Sequence, residues 1–470
     1  MATLKKQWLN ILILCILVLG AWMRVSFYGN FRLSIGNVET PTYIESSRAP
    51  LLSWDIFSGK RLFTTNLIFK LANNESECPL APVSSPAEGV ENYRNIQPCF
   101  DRIVLLQNIL AVLGWCCLAW STSRFLVNPL LKISSAILIL AFAFTPQIAE
   151  WDSILSPESL TFSLLAISFA ILQEITFRVS KEPDQINRRV TSLLAAGWLI
   201  AFALWVFIRD VNLYTIPITL ALLAPLLLVK KFRQAKILTI VITALIGLFI
   251  LGYFSAKDSV RATRYCTDND NPSSCTDNAL THSFEAYIAP YPARMEFFTA
   301  RGMPDPQSPK FHKWFDANAT RTYALFMLSH PGFVVTTIWE QIPYFKSDFE
   351  QPYYKVLANN YRENLFIAGE FVHPESMAVY LIDALLFIFL CIKAFKYRNT
   401  YFYAWTWLAG WYLLCAIVIL LASFFGDTVG TRRHIFPSVE MFRLFLWIFI
   451  MPHLDLPGAD RQTPTQQQSL

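Results

Sequence analysis

Apolar residues along this chain fall into long, nearly unbroken blocks rather than alternating with polar ones. The blocks lie at about 8–24, 103–120, 133–149, 160–177, 193–208, 213–229, 237–254, 377–395, 401–425 and 439–451. Each approaches the length, about 20 residues, that carries a helix across a hydrocarbon core of about 30 Å. Lipid offers backbone N–H and C=O groups no partner, so spans of this kind must be helices. The pattern therefore predicts an all-α polytopic membrane protein of about ten transmembrane helices. Two long polar stretches separate the blocks, 25–101 and 255–376. Inside them, short apolar runs at 54–57, 62–71 and 332–345 are too short to span and are expected to be interfacial helices, the alternative being core helices of a small outer domain.

Charge orients this arrangement. The short loops that alternate with the spans hold Arg124 and Lys132; Arg178, Lys181, Arg188 and Arg189; Lys230, Lys231, Arg233 and Lys236; and Lys393, Lys396 and Arg398. Glu150–Glu158, a short loop of the opposite set, has no Lys or Arg. Basic short loops mark the cytoplasmic side. Both termini are then cytoplasmic, and both long loops are extracytoplasmic. Four units follow: 1–254, an N-terminal membrane module of seven spans; 255–376, an outer loop or small domain; 377–453, a three-span segment; and 454–470, a disordered Gln-rich cytoplasmic tail.

Composition agrees with this picture. Of 470 residues, 54% are hydrophobic and 16% charged, with a mean hydropathy of +0.38; soluble chains carry about a quarter charged residues. The net charge of +5 resides in the orienting loops and does not point to nucleic acid. Cys78 and Cys99 share the first long loop, and Cys266 and Cys275 the second, so each pair has the setting for a disulfide. Cys15, Cys116, Cys117, Cys391 and Cys415 fall within spans and read as reduced packing residues.

The candidate chemistry gathers at the extracytoplasmic ends of spans. Glu39 follows the first span in Gly36-Asn37-Val38-Glu39-Thr40-Pro41-Thr42-Tyr43, with Glu45 in reserve. A carboxylate near lipid can take a proton from an acceptor hydroxyl; it can also be a solvated loop charge or favour a helix start. Glu150 and Asp152 can hold a divalent metal ion or an acceptor beside Glu39. Ser156-Pro157-Glu158 reads as a helix start, Ser156 capping and Pro157 in the first position. Three basic features run against the positive-inside trend: Lys60-Arg61, Arg209-Asp210 and Arg432-Arg433-His434. Guanidiniums grip phosphate oxygens in a fork; the structural alternatives pair Arg209 with Asp210 or Asp152, and Arg432 with Asp427. Asp383, inside a span, is expected to make a hydrogen-bonded helix contact.

In their order these features resemble the GT-C superfamily of integral-membrane glycosyltransferases. The resemblance rests on Glu39 with Tyr43, on Arg61, on Arg209 at the end of a middle span, on Pro157-Glu158-Ser159-Leu160, and on Asp427 followed by Arg432, Arg433, His434 and Pro437. It covers most of the membrane part through scattered short motifs. It differs in having Glu where Asp is common, and Lys60-Arg61-Leu62-Phe63 where many members have an Arg-Pro-Pro-like run. The resemblance implies a sugar on polyprenyl or dolichyl phosphate as donor, a glycan, lipid or protein acceptor, and inverting transfer on the outer face of a bacterial plasma (inner) membrane. Glu39 would then be the general base, Glu150 and Asp152 further catalytic carboxylates, and Tyr43 and Glu158 substrate contacts. Arg61, Arg209, Arg432, Arg433 and His434 would hold the donor phosphate. A lipid-linked glycan transporter or flippase is the main rival, but no internal repeat is visible; an O-antigen ligase or polymerase and a non-catalytic assembly subunit are the others.

Overall fold

The computed structural model describes residues 2–28, 33–58, 60–73, 78–83, 95–180, 188–229, 236–262, 265–266, 275–276, 278–346, 360–428 and 431–455. Among these residues, nine helices are long and apolar enough to cross a membrane, and a bent pair supplies a tenth. The chain is thus an all-α polytopic membrane protein, and every predicted block is found. Two blocks are not the straight spans expected. Block 133–149 breaks by 52° between Pro129–Phe144 and Pro146–Ser153. Thr145, ahead of Pro146, is extended at φ −82° and ψ 158°, as the residue before a proline must be when it leaves the helical region. Block 213–229 is a 3-10 turn Asp210–Tyr214, a short α-helix Thr215–Leu223 and a second 3-10 turn Ala224–Leu228 with Pro225 in its first turn. The last block reaches back to Thr431, so Arg432, Arg433 and His434 lie in its first turn and not ahead of it.

The long loops are largely helical. Trp54–Ser58 and Phe63–Ala72 pack inward: Thr64 Oγ1 donates to the carbonyl of Leu204 at 2.6 Å, and Phe69 is fully buried. Pro331–Glu340 instead leaves Val335 and Trp339 66% and 74% exposed. Cys78 and Cys99 form a disulfide. Cys266 stands opposite Cys275 in an antiparallel pair of two-residue strands; their side chains lie outside the described residues. The five span cysteines are unbonded.

Burial places the centre of the bundle. The most apolar stretch of Thr431–Leu454 is 89% buried, whereas that of the first helix is 17% buried. Exposed Trp8, Ile240 and Phe395 are what a lipid-facing surface requires. Asp101–Phe125 and Pro157–Val179 approach closely at Gly114, where a Cβ would sit 2.6 Å from the carbonyl oxygen of Ser163; small residues permit such crossings in membranes. At one end, Asp455 accepts from the Val127 and Asn128 backbone N–H groups and the Tyr401 hydroxyl, tying three elements together.

The other end is ordered by backbone bonds. Ile35 N–H donates to Ser153 O at 2.8 Å, Leu155 N–H to Ile35 O at 2.9 Å, Gly36 N–H to Asn95 O at 2.7 Å, and Gln97 N–H to Ser34 O at 2.8 Å. Segments 34–36, 95–97 and 153–155 thus form one small rack, and Glu39 follows it directly ahead of helix Thr40–Ser47. Arg24, 1% exposed, donates to Asp152 and, at 2.8 Å, to Asn108 Oδ1; Ser159 Oγ also donates to Asp152, at 2.5 Å. This ion pair joins the ends of three spans. Asp152→Asn would leave the buried Arg24 guanidinium without its carboxylate, and breaking a buried pair costs about 3–5 kcal/mol. We expect a clear fall in melting temperature for purified Asp152→Asn, partly regained in Arg24→Met/Asp152→Asn; equal melting of Asp152→Asn and wild type would show that the pair carries no such load.

Candidate functional site

Glu39 is the residue ahead of helix Thr40–Ser47, whose first turn holds Pro41. The Asn37 side chain accepts from the backbone N–H groups of Glu39 and Thr40, and Thr40 Oγ1 donates to the Leu155 carbonyl at 2.9 Å. The turn is therefore fixed to the loop that leads into Pro157–Val179. Four residues beyond Glu39, one helical turn away, the Tyr43 hydroxyl donates to Glu39 Oε2 at 3.0 Å.

Arg433 completes the cluster. Its Nη2 donates to Glu39 Oε2 and its Nε to Glu158 Oε1, both at 3.0 Å. Glu158 is 1% exposed in the first turn of Pro157–Val179, where the helix dipole favours a carboxylate. Ser156 and Pro157 hold the expected starting positions, but the Ser156 hydroxyl makes no capping hydrogen bond. Pro437 lacks the N–H that would bond the Arg433 carbonyl, which loosens the helix where its cations sit. Arg61 Nη2 lies 3.8 Å from Glu39 Oε2; its Nε donates to Thr42 Oγ1, and its guanidinium stacks 4.2 Å from the Tyr43 ring centre.

All of these contacts reach Oε2. Glu39 Oε1 takes no hydrogen bond among the described residues, and the side chain is 29% exposed. One oxygen is held in place and the other is available. Burial by itself would raise the Glu39 pKa, but Arg433, Arg61, His434 and the Tyr43 hydroxyl outweigh it and bring it down to about 2. The carboxylate is ionised at any physiological pH. Tyr43, raised chiefly by its own burial, stays a protonated donor.

A second ring adjoins this one. Arg209 Nη2 donates to His434 Nδ1 at 2.9 Å. A guanidinium only donates, so Nδ1 is the unprotonated nitrogen and Nε2 faces Asp427 Oδ2, at 3.5 Å. Arg209 Nη1 is buried with no hydrogen-bond partner among the described residues. Exposed Arg432 lies over the Tyr344 ring, 5.1 Å from its centre. The alternatives that paired Arg209 with Asp210 or Asp152, and Arg432 with Asp427, do not occur among the described residues: Asp152 belongs to Arg24, Asp210 accepts from Val211 N–H, and Asp427 faces His434 and His282.

Two of the candidate carboxylates, Glu150 and Asp152, are paired with arginines other than those around Glu39. Glu150, 2% exposed, accepts from Arg362 Nε and Nη2 at 2.5 and 2.9 Å, and Asp152 is locked to Arg24. Each is neutralised in the interior; Glu158 is the carboxylate linked to Glu39. No three His, Cys, Asp or Glu side chains are grouped to hold a metal ion among the described residues. Asp383 was expected to bond a neighbouring helix, yet both its oxygens are buried without a partner among the described residues. Sequence reading missed Arg24, Arg362 and the buried His373–Glu440–Arg443 chain, linked at 2.6 Å at each step; Arg24 and Arg443 stood inside spans, where an ionisable group is itself the signal.

No family model and no curated protein matches the chain. Among solved structures it is similar to the archaeal oligosaccharyltransferase AglB from Archaeoglobus fulgidus in complex with an inhibitory peptide and a dolichol-phosphate, at 12% identity and a TM-score of 0.42, covering 94% of this chain and 50% of that one. It is also similar to the Archaeoglobus fulgidus oligosaccharyltransferase tethered to an acceptor peptide, at 12% identity, TM-score 0.42, with 95% and 50% covered. The apo form gives 11% identity and a TM-score of 0.41, with 93% and 50% covered. The chain spans about half the length of these structures.

The carboxylate's setting yields a titration test. The folded-state pKa of Glu39, about 2, lies below its ordinary value of 4.5. Its contribution to stability is therefore full above that ordinary value and is lost as pH falls toward about 2. Arg433→Gln removes the leading influence that lowers it and leaves the effect of burial. Infrared spectra of carboxylate-labelled protein should show Glu39 protonating at higher pH in Arg433→Gln than in wild type. An unmoved midpoint would mean that Arg433 does not set the charge state of Glu39.

Proposed function

We propose that the protein is a membrane glycosyltransferase that moves a sugar from a polyprenyl-phosphate donor to an acceptor hydroxyl, with Glu39 as the general base. The observation that carries this reading is the asymmetry of Glu39. Among the described residues, Oε2 is fixed by Tyr43 and Arg433, Oε1 takes no hydrogen bond, and Arg209, which has no carboxylate partner, bonds to His434, whose charge acts on Glu39.

In this mechanism the acceptor O–H gives its proton to Glu39 Oε1 as its oxygen bonds to the anomeric carbon. The bond from that carbon to the phosphate oxygen breaks on the opposite face, and the electron pair leaves with the lipid phosphate. Arg209 binds the phosphate through Nη1, with Arg61 and Arg432 as further contacts. Arg433 is the positioning residue that keeps Oε1 turned to the acceptor, and His434 orients Arg209. A carboxylate with a pKa near 2 is a weak base. A phosphate bound beside it adds a like charge and draws Arg61 away, and both effects raise the pKa. The donor thereby makes Glu39 more basic as the complex forms. The acceptor hydroxyl also grows more acidic as its oxygen bonds to carbon.

Incubating purified protein with radiolabelled polyprenyl-phosphate sugars and an acceptor should release lipid phosphate. Glu39→Gln should lower kcat by about 10²–10⁴ with donor affinity kept. Glu45→Gln, at a side chain 66% exposed and paired with Lys60, should do little. Arg209→Ala should raise the donor KM by about 10-fold or more, as losing a charge-assisted contact of about 1.5–3 kcal/mol implies. Near-normal turnover in folded Glu39→Gln would remove Glu39 from the chemistry.

A further inference from the structure

One buried chain of ionisable groups lies outside the cluster at Glu39. His373, Glu440 and Arg443 are all buried. His373 Nδ1 lies 2.6 Å from Glu440 Oε2, Arg443 Nη1 donates to Glu440 Oε1 at 2.6 Å, and Arg443 Nη2 donates to the Lys346 carbonyl at 3.1 Å. On its other side, His373 Nε2 lies 3.0 Å from both the Phe142 carbonyl and Thr145 Oγ1.

These partners fix where the protons are. A carbonyl oxygen only accepts, so His373 Nε2 carries a hydrogen. Thr145 Oγ1 gives its own hydrogen to the Phe142 carbonyl, at 3.1 Å, and therefore also accepts from Nε2. A neutral imidazole has a single N–H. With Nε2 protonated, Nδ1 would present a lone pair to Glu440, and an ionised Glu440 would answer with another, 2.6 Å away in the interior. That contact repels unless a proton lies in it. Glu440 is then either an acid donating to Nδ1 or a carboxylate accepting from an imidazolium, and in both forms the pair is neutral as a whole. Free histidine and glutamate side chains would together carry about one negative charge above pH 7. The ionisable groups around the pair are Arg443 on Oε1, Glu375 two residues past His373, Tyr380, whose ring lies 4.7 Å from that of Phe442, and Asp383 one turn beyond Tyr380.

The chain sits where Arg433 is set. Glu440 lies seven residues beyond Arg433 on Thr431–Leu454, two turns or about 10 Å along the same face. Pro437 stands between them and removes a backbone bond, so the turn with Arg433 depends on the ties below the proline. His373 carries such a tie to Phe142 and Thr145, at the 52° bend. The arm beyond the bend, Pro146–Ser153, leads to the helix that begins with Pro157 and Glu158. Arg433 and its partner Glu158 are thus both referenced to one buried chain.

We propose that His373 and Glu440 share one proton at neutral pH, and that this uncharged junction is the positioning device that holds Arg433 between Glu39 and Glu158. The proposal rests on the contacts of Arg433 and is independent of the enzymatic reading.

The test uses the purified full chain and needs no substrate. A glutamine at 440 keeps every bond: its NH₂ donates to Nδ1 and its carbonyl accepts from Arg443. Glu440→Gln should therefore melt close to wild type. Asp152→Asn should not, because both Asp152 oxygens accept and an amide there turns an N–H on to a donor. Glu440→Leu cuts both ties. Infrared spectra of carboxylate-labelled protein, with Glu39→Gln as the reference that assigns the band, then follow Glu39. Its midpoint should stay at the wild-type value in Glu440→Gln and rise by about one pH unit or more in Glu440→Leu, as loss of a neighbouring cation implies. His373→Leu leaves the Glu440–Arg443 pair in place, serves if Glu440→Leu does not fold, and should move the midpoint the same way. A melting temperature in Glu440→Gln as low as that of Asp152→Asn would mean that Glu440 acts through its charge, and would overturn the shared proton. An unmoved Glu39 midpoint in the folded leucine variants would overturn the positioning role.

Discussion

Arg433 is shared by two carboxylates, and the geometry of the whole cluster at Glu39 depends on that sharing. It reaches Glu39 across 394 positions of sequence and Glu158 across 275. Three parts of the molecule meet in one guanidinium: the turn after the first span, the entry to Pro157–Val179 and the first turn of Thr431–Leu454. Two carboxylates this close would repel without a cation between them. With it, one carboxylate is buried at a helix N-terminus and the other is held by a single oxygen. The planar fork of arginine suits this task, and a lysine, with a point charge, does not reproduce it.

The rest of the structure can be understood as support for that arrangement. The backbone rack at 34–36, 95–97 and 153–155 sets where Glu39 and Glu158 begin. The Arg24–Asp152 pair fixes the first span to Pro146–Ser153, the second arm of the bent span, just ahead of Pro157–Val179. Glu150 with Arg362 ties the same arm to helix Asn360–Val372, in the second long loop. These interior ion pairs give two of the segment's acids arginine partners. At the opposite end, Asp455 closes the bundle.

The spans were legible because the bilayer allows few solutions: an apolar block near the core thickness must be a helix. Their interruptions were less so, since Pro146 and Pro225 break a segment without changing its apolar content. At the site, the Glu39–Tyr43 spacing was readable as one helical turn, and the cations at 61, 209 and 432–434 stood out against the charge rule. The division of labour among them was not readable. Whether a carboxylate faces solvent or a buried arginine is set by residues hundreds of positions away, which is why Glu150 and Asp152 read like Glu39 in sequence and differ in space. Arg432 and Arg433 are neighbours in sequence, yet one lies over Tyr344 and the other bridges two glutamates.

The most direct test of this account is an experimental structure of the full chain with a non-cleavable phosphonate analogue of a polyprenyl-phosphate sugar. The account predicts phosphonate oxygens at hydrogen-bond distance, about 3 Å, from Arg209 Nη1. It also predicts Arg433 still bridging Glu39 and Glu158, with Glu39 Oε1 turned toward the anomeric carbon. A phosphonate bound away from Arg209, or a Glu39 carboxylate facing away from the sugar, would contradict it.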